Sequence, residues 1–388
     1  MDPSESNQHR VLRALPESVV AHPESGVAPI ETISDGPSGR PTALIVTGTP
    51  EEWQALAETE GRRRRATTDA LTRLPMLTFC VARGVNGGAL ADVIEAFDVS
   101  AHVGPRPASS GLNIAGTEQQ VEQWSRDFFE GFRRSPATAV AAAHLVRRPL
   151  KSAWEQIVNE STAYAMFQGS EPHRAWLRSR PAQSLDTDVS ESPLKVTEHH
   201  STVELNLNRP RRHNALNAAM RNELFSILEA LRHRPDVEVG LRGNGPSFCS
   251  GGDLSEFGLT ADLTAGHLIR VTRSLPFTVD QIGDRLTVGV HGACAGAGIE
   301  LAAFADRIVA SDDAHIWLPE ASFGLIPGSG GTVSIPRRIG AHRFNELFVT
   351  GKHLDAATAA LWGLVDEVVP RDSLEQRLRH IHRGGNGS

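Results

Sequence analysis

The sequence predicts an α/β layered protein, and three observations carry that reading. Short apolar β runs alternate with helical stretches along the chain, which is the pattern of sheets covered by helices. The composition is that of an ordinary globular chain, with 40% hydrophobic and 22% charged residues, and not that of a disordered one. Its 388 residues allow two domains, or three, at roughly 100–200 residues each.

The first 41 residues carry six prolines among Gly, Ser, Asp and Glu, which predicts short extended pieces and turns. A β run, ALIV at 43–46, precedes a helix near 50–60; LTFCVA at 77–82 precedes a helix at 88–97. A helical region follows, EQQVEQWSRDFFEGFRR and then SPATAVAAAHLVRR, the latter opened by Ser135 as N-cap and Pro136 at the first helical position. After it, Leu150, Trp154, Ile157 and Val158 fall on one helical face. The polar, aperiodic stretch 182–195 reads as a linker. Beyond it comes the strand TVELNLN (202–208), then a helix after Asn217 that aligns Met220, Leu224, Ile227, Leu228 and Leu231. Further strands are expected at 237–243, 286–292 and 307–311. Residues 82–98 also align with 290–306 at a constant offset, pairing Gly84 with Gly292, Gly88 with Gly296 and Asp98 with Asp306, which suggests a duplication.

Several function classes are disfavoured. The net charge of −7 argues against a general nucleic-acid binder. The three cysteines, Cys80, Cys249 and Cys294, have neither disulfide-framework nor metal-ligand spacing, so no metal site is expected. No signal-peptide pattern or long apolar run is present, so membrane insertion is not expected and a cytoplasmic location is the default.

Three pieces carry chemistry: PSFCSGGDL (246–254), HGACAGAGIEL (291–301) and WLPEASFGLIPGSGG (317–331). A strand ending near Gly292 enters the small-residue turn Ala295–Gly298 and then a helix, whose unpaired first N–H groups form a ready oxyanion site. The bulk-free turn Ser250-Gly251-Gly252 offers a second backbone donor. Glu300, about one helical turn beyond Ala297, and Glu320, after Pro319, form a candidate carboxylate pair for acid–base work.

These pieces stand in order with LNRPRRHNALN before them and DRIVAS, IPRRIG, VTGK and AALWGLVDEVV interleaved or after, and the whole of about 200–370 closely resembles the enoyl-CoA hydratase/isomerase (crotonase) superfamily. The resemblance implies a crotonase (ClpP-like) spiral of ββα turns and an acyl-CoA thioester as substrate, held by the N–H groups of Gly252 and Ala297. It implies water activation by Glu300 and proton delivery to Cα by Glu320, hence hydration of a 2-enoyl-CoA or the reverse. Ser250, Gly251, Asp253 and Gly296 would line the substrate, and Arg211 and Arg212 would meet the phosphates of CoA. No cofactor is implied beyond the coenzyme A of the substrate itself. The partners implied are that thioester and copies of the chain, as a homo-oligomer; the fold suggests a trimer, although a tandem chain could satisfy such surfaces differently. Isomerase, decarboxylase, thioester hydrolase, cofactor-independent oxygenase and a non-catalytic acyl-CoA-binding scaffold stay open as alternatives, since one oxyanion hole serves many chemistries.

Only 18 residues follow Pro370, fewer than the family's helical tail needs, whereas 135–180 resembles that tail, with a Gly-Ser-Glu turn at 169–171. The expected organisation is therefore tandem: a degenerate crotonase-like unit over 1–185 with its helical tail at 135–180, a linker at 186–195, and a catalytic unit over 196–388 that lacks its own closing helices. Asp92 stands where Glu300 stands in the second unit and is expected to be structural. Arg62 to Arg65 read as a solvated or salt-bridged strip, His199 and His200 as linker residues, and Cys249 and Cys294 as core.

Overall fold

The computed structural model describes residues 30–34, 41–47, 61–83, 91–106, 112–181, 192–199, 201–259 and 262–384. The helix expected near 50–60, Gly84, Gly88, His200 and most of the 182–195 linker lie outside them, as do the side chains of Arg62, Arg63 and Arg64. The chain forms two compact units, Met1–Arg148 with Gly340–Thr350, and Pro149–Ile339 with Gly351–Ser388.

The first unit holds strands β1 (Ile30–Ser34), β2 (Pro41–Thr47), β3 (Leu77–Arg83), β4 (Val99–Val103) and β5 (Ile114–Gly116), with helices α1 (Gly61–Leu71), α2 (Ala91–Glu95), α3 (Glu118–Arg134) and α4 (Pro136–Arg147). The strands form one sheet in sequence order, β1 antiparallel to β2 and the rest parallel. β3 is buried at every position but Arg83, as a strand covered on both faces must be. Leu44, Val46, Cys80, Ala82, Phe97 and Leu112 share its core. Thr117 and Gln120 close a capping box at the start of α3, which presents Phe128, Phe129 and Phe132 inward. Asp92 is exposed on the first turn of α2, and Arg65 is exposed on α1.

The second unit begins with α5 (Ala153–Gln168) and α6 (Glu171–Ser179), followed by β6 (Leu194–His199), β7 (Thr202–Leu207), α7 (Ala218–Leu231), β8 (Glu238–Gly243), α8 (Leu263–Thr272) and α9 (Leu275–Asp280). Then come β9 (Leu286–Val290), β10 (Ala293–Ala295), α10 (Ala297–Ala302), β11 (Arg307–Ser311), β12 (His315–Trp317) and α11 (Gly331–Thr350), whose helical path breaks at Gly340, the residues from there to Thr350 being counted with the first unit. β13 (Leu354–Asp355), α12 (Ala356–Trp362), β14 (Glu367–Val369) and α13 (Leu374–Gly384) complete it. A six-stranded sheet runs β14-β11-β9-β8-β7-β6, parallel except at the β6–β7 hairpin. A second sheet, β10-β12-β13, lies beside it. The chain thus passes from a strand of the large sheet to one of the small sheet and then into a helix, as in β9-β10-α10. Bridges pairing Leu216 with Gly252 and Cys249 with Cys294 extend this second layer and bring the two glycine turns to it.

Two expectations change. The division between units falls after Arg148, so α5 and α6, read from sequence with the first segment, stand in the second unit. The face of α5 also rotates: Leu150 precedes the helix because Ser152 caps it, and Leu150 and Trp154 are 42% and 38% exposed, while Ile157, Glu160, Ser161 and Phe167 are buried. Among the described residues no helix is long and apolar enough to cross a membrane.

In the first unit Asp98 is a buried anion held on all sides. It accepts from Arg147 Nε at 2.8 Å and from the Thr78 N–H and hydroxyl at 2.8 and 3.0 Å, and Arg147 in turn donates to the carbonyls of Leu74 and Met76 at 2.8 Å each. The side chains of the pair are 5% and 1% exposed, so removing one partner strands a charge in the interior. Asp98→Ala is expected to lower stability by about 3–5 kcal/mol, read by chemical denaturation of the full chain; a loss below about 1 kcal/mol, the range of exposed pairs, would show that the pair is not anchoring the unit.

Candidate active site

The site is built around one turn. Residues 328–331 are glycine and serine, and they run into the N-terminus of α11, where the first N–H groups have no intrahelical acceptors. Two carboxylates take them alternately. Glu300 Oε2 accepts from the N–H groups of Ser329 at 2.7 Å and Gly331 at 3.0 Å, while Glu160 accepts from Gly330 at 2.7 Å and from Thr332 N–H at 2.8 Å. The Thr332 hydroxyl adds a further donor to Glu160 at 2.6 Å. Glu300 comes from the first turn of α10 and Glu160 from the middle of α5, so an anion-seeking helix end joins two helices far apart in sequence. Gly328 admits the ring of Tyr164, since a Cβ there would stand 2.5 Å from it.

Glu320 enters from the opposite strand-to-helix turn after β12. Its Oε1 lies 2.5 Å from where a Cβ on Gly296 would stand, and Gly296 itself has φ 47°, so only glycine fits both the backbone and the neighbour. Glu320 Oε2 is buried and accepts from no N–H or hydroxyl group among the described residues, and the side chain that hydrogen-bonds the Glu320 carboxyl is that of Glu300. Beside it, the amides of Gly252 and Ala297 donate to no group among the described residues. Ala297 opens α10, and Gly252 follows Gly251, whose missing Cβ would sit 3.8 Å from Ala297 N. The three glutamates and both amides line a single cavity of about 570 Å³, within the range of small-molecule sites.

Electrostatics follow from this crowding. Burial pushes the Glu300 carboxyl well above the usual carboxylate range, and the neighbouring Glu320 and Glu160 push it further, although the two amides pull it back. Burial likewise raises Glu320 to about 7 and Glu160 to about 7, the latter against its bonds to Thr332 and Gly330. Like charges this close in a buried site do not all ionise, so near neutral pH the group holds protons as well as charge. Such a set contains an acid and a base at once.

Of the residues singled out from sequence, Glu300, Glu320, Gly252, Ala297, Ser250, Gly251, Asp253 and Gly296 all line this cavity. The carboxylate of Asp253 is occupied, accepting from Arg209 at 2.8 Å and from the Ser255 N–H and hydroxyl at 3.0 and 2.7 Å. Arg211 and Arg212 stand on a short turn at Pro210–Arg212 and are not among the cavity-lining residues; Arg211 is exposed. Cys249 and Cys294 are buried free thiols, and burial pushes both upward in pKa. Sequence reasoning missed Glu160, Tyr164, Arg221, Arg270 and Arg273, which also line the cavity. Nothing in the local sequence marks Glu160, since the face read from sequence was centred on Leu150 and Trp154, which are exposed.

α5 lines one side of the cavity with Ile157, Glu160, Ser161, Tyr164 and Gln168, and α6 packs behind the lining residues Phe257 and Phe323. Trp176 packs on Phe323 at 4.6 Å and on Phe257 at 5.9 Å between ring centroids. The His173 ring is 2.8 Å from the Phe323 carbonyl, and Arg180 donates to the Leu254 carbonyl at 2.7 Å.

Comparison with known proteins places this arrangement. The sequence profile of the enoyl-CoA hydratase/isomerase family matches residues 197–384. Carnitinyl-CoA dehydratase of Citrobacter koseri is 34% identical over 50% of this chain and 74% of its own length. The 2,3-dehydroadipyl-CoA hydratase of Escherichia coli is 35% identical over 48% of this chain and 74% of its own. A crystal structure of an enoyl-CoA hydratase from Bacillus anthracis superposes with a TM-score of 0.46 at 32% identity, over 49% of this chain and 75% of that one. With identities above 30% across nearly three quarters of the curated relatives' length, the chain belongs to the enoyl-CoA hydratase/isomerase family.

Proposed function

We propose that the second unit binds an acyl-CoA thioester and adds water across a 2-enoyl double bond, or runs the reverse dehydration. The observation that carries this is the meeting of two unengaged amides, Gly252 and Ala297, with two buried high-pKa carboxylates, Glu300 and Glu320, in one cavity. That the relatives are named hydratases and dehydratases agrees with it.

The thioester carbonyl accepts from both amides, which act most strongly on the enolate oxygen formed as water adds at C3. The ionised carboxylate of the pair takes a proton from water, and the protonated one delivers its proton to C2. Glu300, oriented by two amides, takes the water role, and Glu320, hydrogen-bonded to it, takes the proton-delivery role when the proton the coupled pair shares rests on Glu320. The Arg211–Arg212 turn is left for the phosphates of CoA. The first unit fits a degenerate crotonase unit. Its sheet repeats the pattern of one antiparallel pair followed by parallel strands, and in each unit the aligned segment ends in a short helix that leads into a strand parallel to the one before it, β3 with β4 and β9 with β11, the second unit adding β10 before its helix.

The test is turnover of a panel of 2-enoyl-CoA thioesters, followed by loss of the conjugated enoyl absorbance. Glu300→Gln and Glu320→Gln are each expected to lower kcat by about 10²–10⁴-fold; thioester binding with no turnover of any member would replace the enzyme reading by that of an acyl-CoA-binding scaffold.

Glu160 acts through the turn it holds. Glu160→Gln removes a negative charge that raises both catalytic carboxyls, so the limbs of the pH–kcat profile are expected to move to lower pH; an unmoved profile would reduce Glu160 to a purely structural group. The same variant reads out in stability. Folding lifts the Glu160 carboxyl from 4.5 to about 7, so the folded state keeps its proton longer than the unfolded one. The stabilisation is complete below pH 4.5 and is lost as pH rises to about 7. Denaturation across that window is expected to show a smaller fall in the variant.

A further inference from the structure

Three arginines line the same cavity as the glutamates, Arg221 from α7, Arg270 from α8 and Arg273 just after it. Among the described residues none forms an ion pair with a carboxylate. Arg270 donates only to neutral oxygens, the Ser161 hydroxyl at 3.0 Å, the Ser161 carbonyl at 3.4 Å and Gln168 Oε1 at 3.3 Å, and its guanidinium lies 4.9 Å from the centre of the Tyr164 ring. Arg273 bonds to the Ser226 hydroxyl at 3.3 Å and is exposed at the mouth. Arg221 is half-buried and makes no hydrogen bond or ion pair with any described residue; Glu256, the nearest influence of opposite sign, is engaged by the Ala218 N–H at 2.9 Å. Burial weakens the protonated form of both Arg221 and Arg270, and the cations also repel one another, Arg273 acting on Arg221 and Arg221 on Arg270. Glu256 and Glu160 act on these cations only at a distance, each being bonded to backbone N–H groups, so the partly desolvated guanidinium groups gain from a directly bound anion.

We propose that the acyl chain this cavity takes bears its own carboxylate, received by Arg221 and Arg270 with Arg273 at the entrance. This rests on the acyl-thioester reading above and adds the class of acyl group. Two sources could supply an anion here, the acyl chain and the phosphates of CoA. Position favours the acyl chain. Arg270 is bonded to Ser161, the residue beside Glu160, and its charge acts on Glu160, so it stands next to the acid–base groups. Those groups work on the acyl carbons, whereas the phosphates lie at the far end of the pantetheine arm. A planar guanidinium suits a carboxylate as a two-point partner.

The experiment measures binding of two saturated acyl-CoA esters of equal chain length to the full chain by calorimetry, one ending in a methyl group and one in a carboxylate. The carboxylated ester is expected to bind at least about tenfold more tightly. Arg221→Met and Arg270→Met should each bring the ratio toward one, and Arg221→Lys should keep part of it. The same pair on pantetheine, which lacks the nucleotide phosphates, should preserve the preference. Equal binding of the two CoA esters to the unaltered protein overturns the proposal. So does an Arg221→Met that weakens both CoA esters alike and neither pantetheine ester, which assigns the arginines to the carrier. Because saturated esters bind without turnover, a preference without hydration removes the proposed reaction and keeps the anionic-acyl site. Hydration without a preference does the reverse, and failure of every ester to bind removes both.

Discussion

The turn at 329–332 is the constraint on which the rest of the second unit depends. Four successive N–H groups at a helix start need acceptors, and two buried carboxylates, Glu300 and Glu160, supply them in alternation. Each partner solves the other's problem. The amides would be orphaned donors in a buried site, and the carboxylates would be unpaired charges there. The arrangement sets Glu300 beside Glu320 with little freedom to turn away, which is the preorganisation that acid–base chemistry needs.

The same constraint fixes the electrostatic character of the cavity. A single buried glutamate bonded to two amides tends toward ionisation, but three within reach of one another cannot all be charged. Their pKa values rise together, with burial as the largest cause in each. The backbone donors at Gly252 and Ala297 sit beside this group and carry no charge of their own, so they polarise an oxygen without adding to the repulsion.

One side of the cavity comes from helices that precede the rest of the unit in sequence. α5 brings Glu160, Tyr164 and the Ser161 that anchors Arg270; α6 brings His173 and Trp176 onto Phe323 and Phe257. The aromatic contacts back the wall formed by Phe257 and Phe323, and the carboxylate of α5 reaches through to the turn. Wall and chemistry are thus one structure. A change in α5 is felt at Glu300 through the shared turn.

Much was legible from residue order alone. Strands β9, β11 and β8 fall within a residue or two of the apolar runs that announce them, because parallel strands buried on both faces read as continuous apolar segments. Family membership was readable from the order of the motifs, and it was that resemblance which implied that Gly252, Ala297, Glu300 and Glu320 share one cavity. What tertiary structure decided was everything that depends on elements distant in sequence. Glu160 looks like any helical glutamate until α5 docks over the glycine turn. Arg221, Arg270 and Arg273 look like surface cations until α7 and α8 face one cavity, and Leu150 and Trp154 seem buried until Ser152 sets where α5 starts. Local sequence encodes turns, caps and periodicity; which charges become neighbours in a low-dielectric space is settled only when non-local surfaces pack.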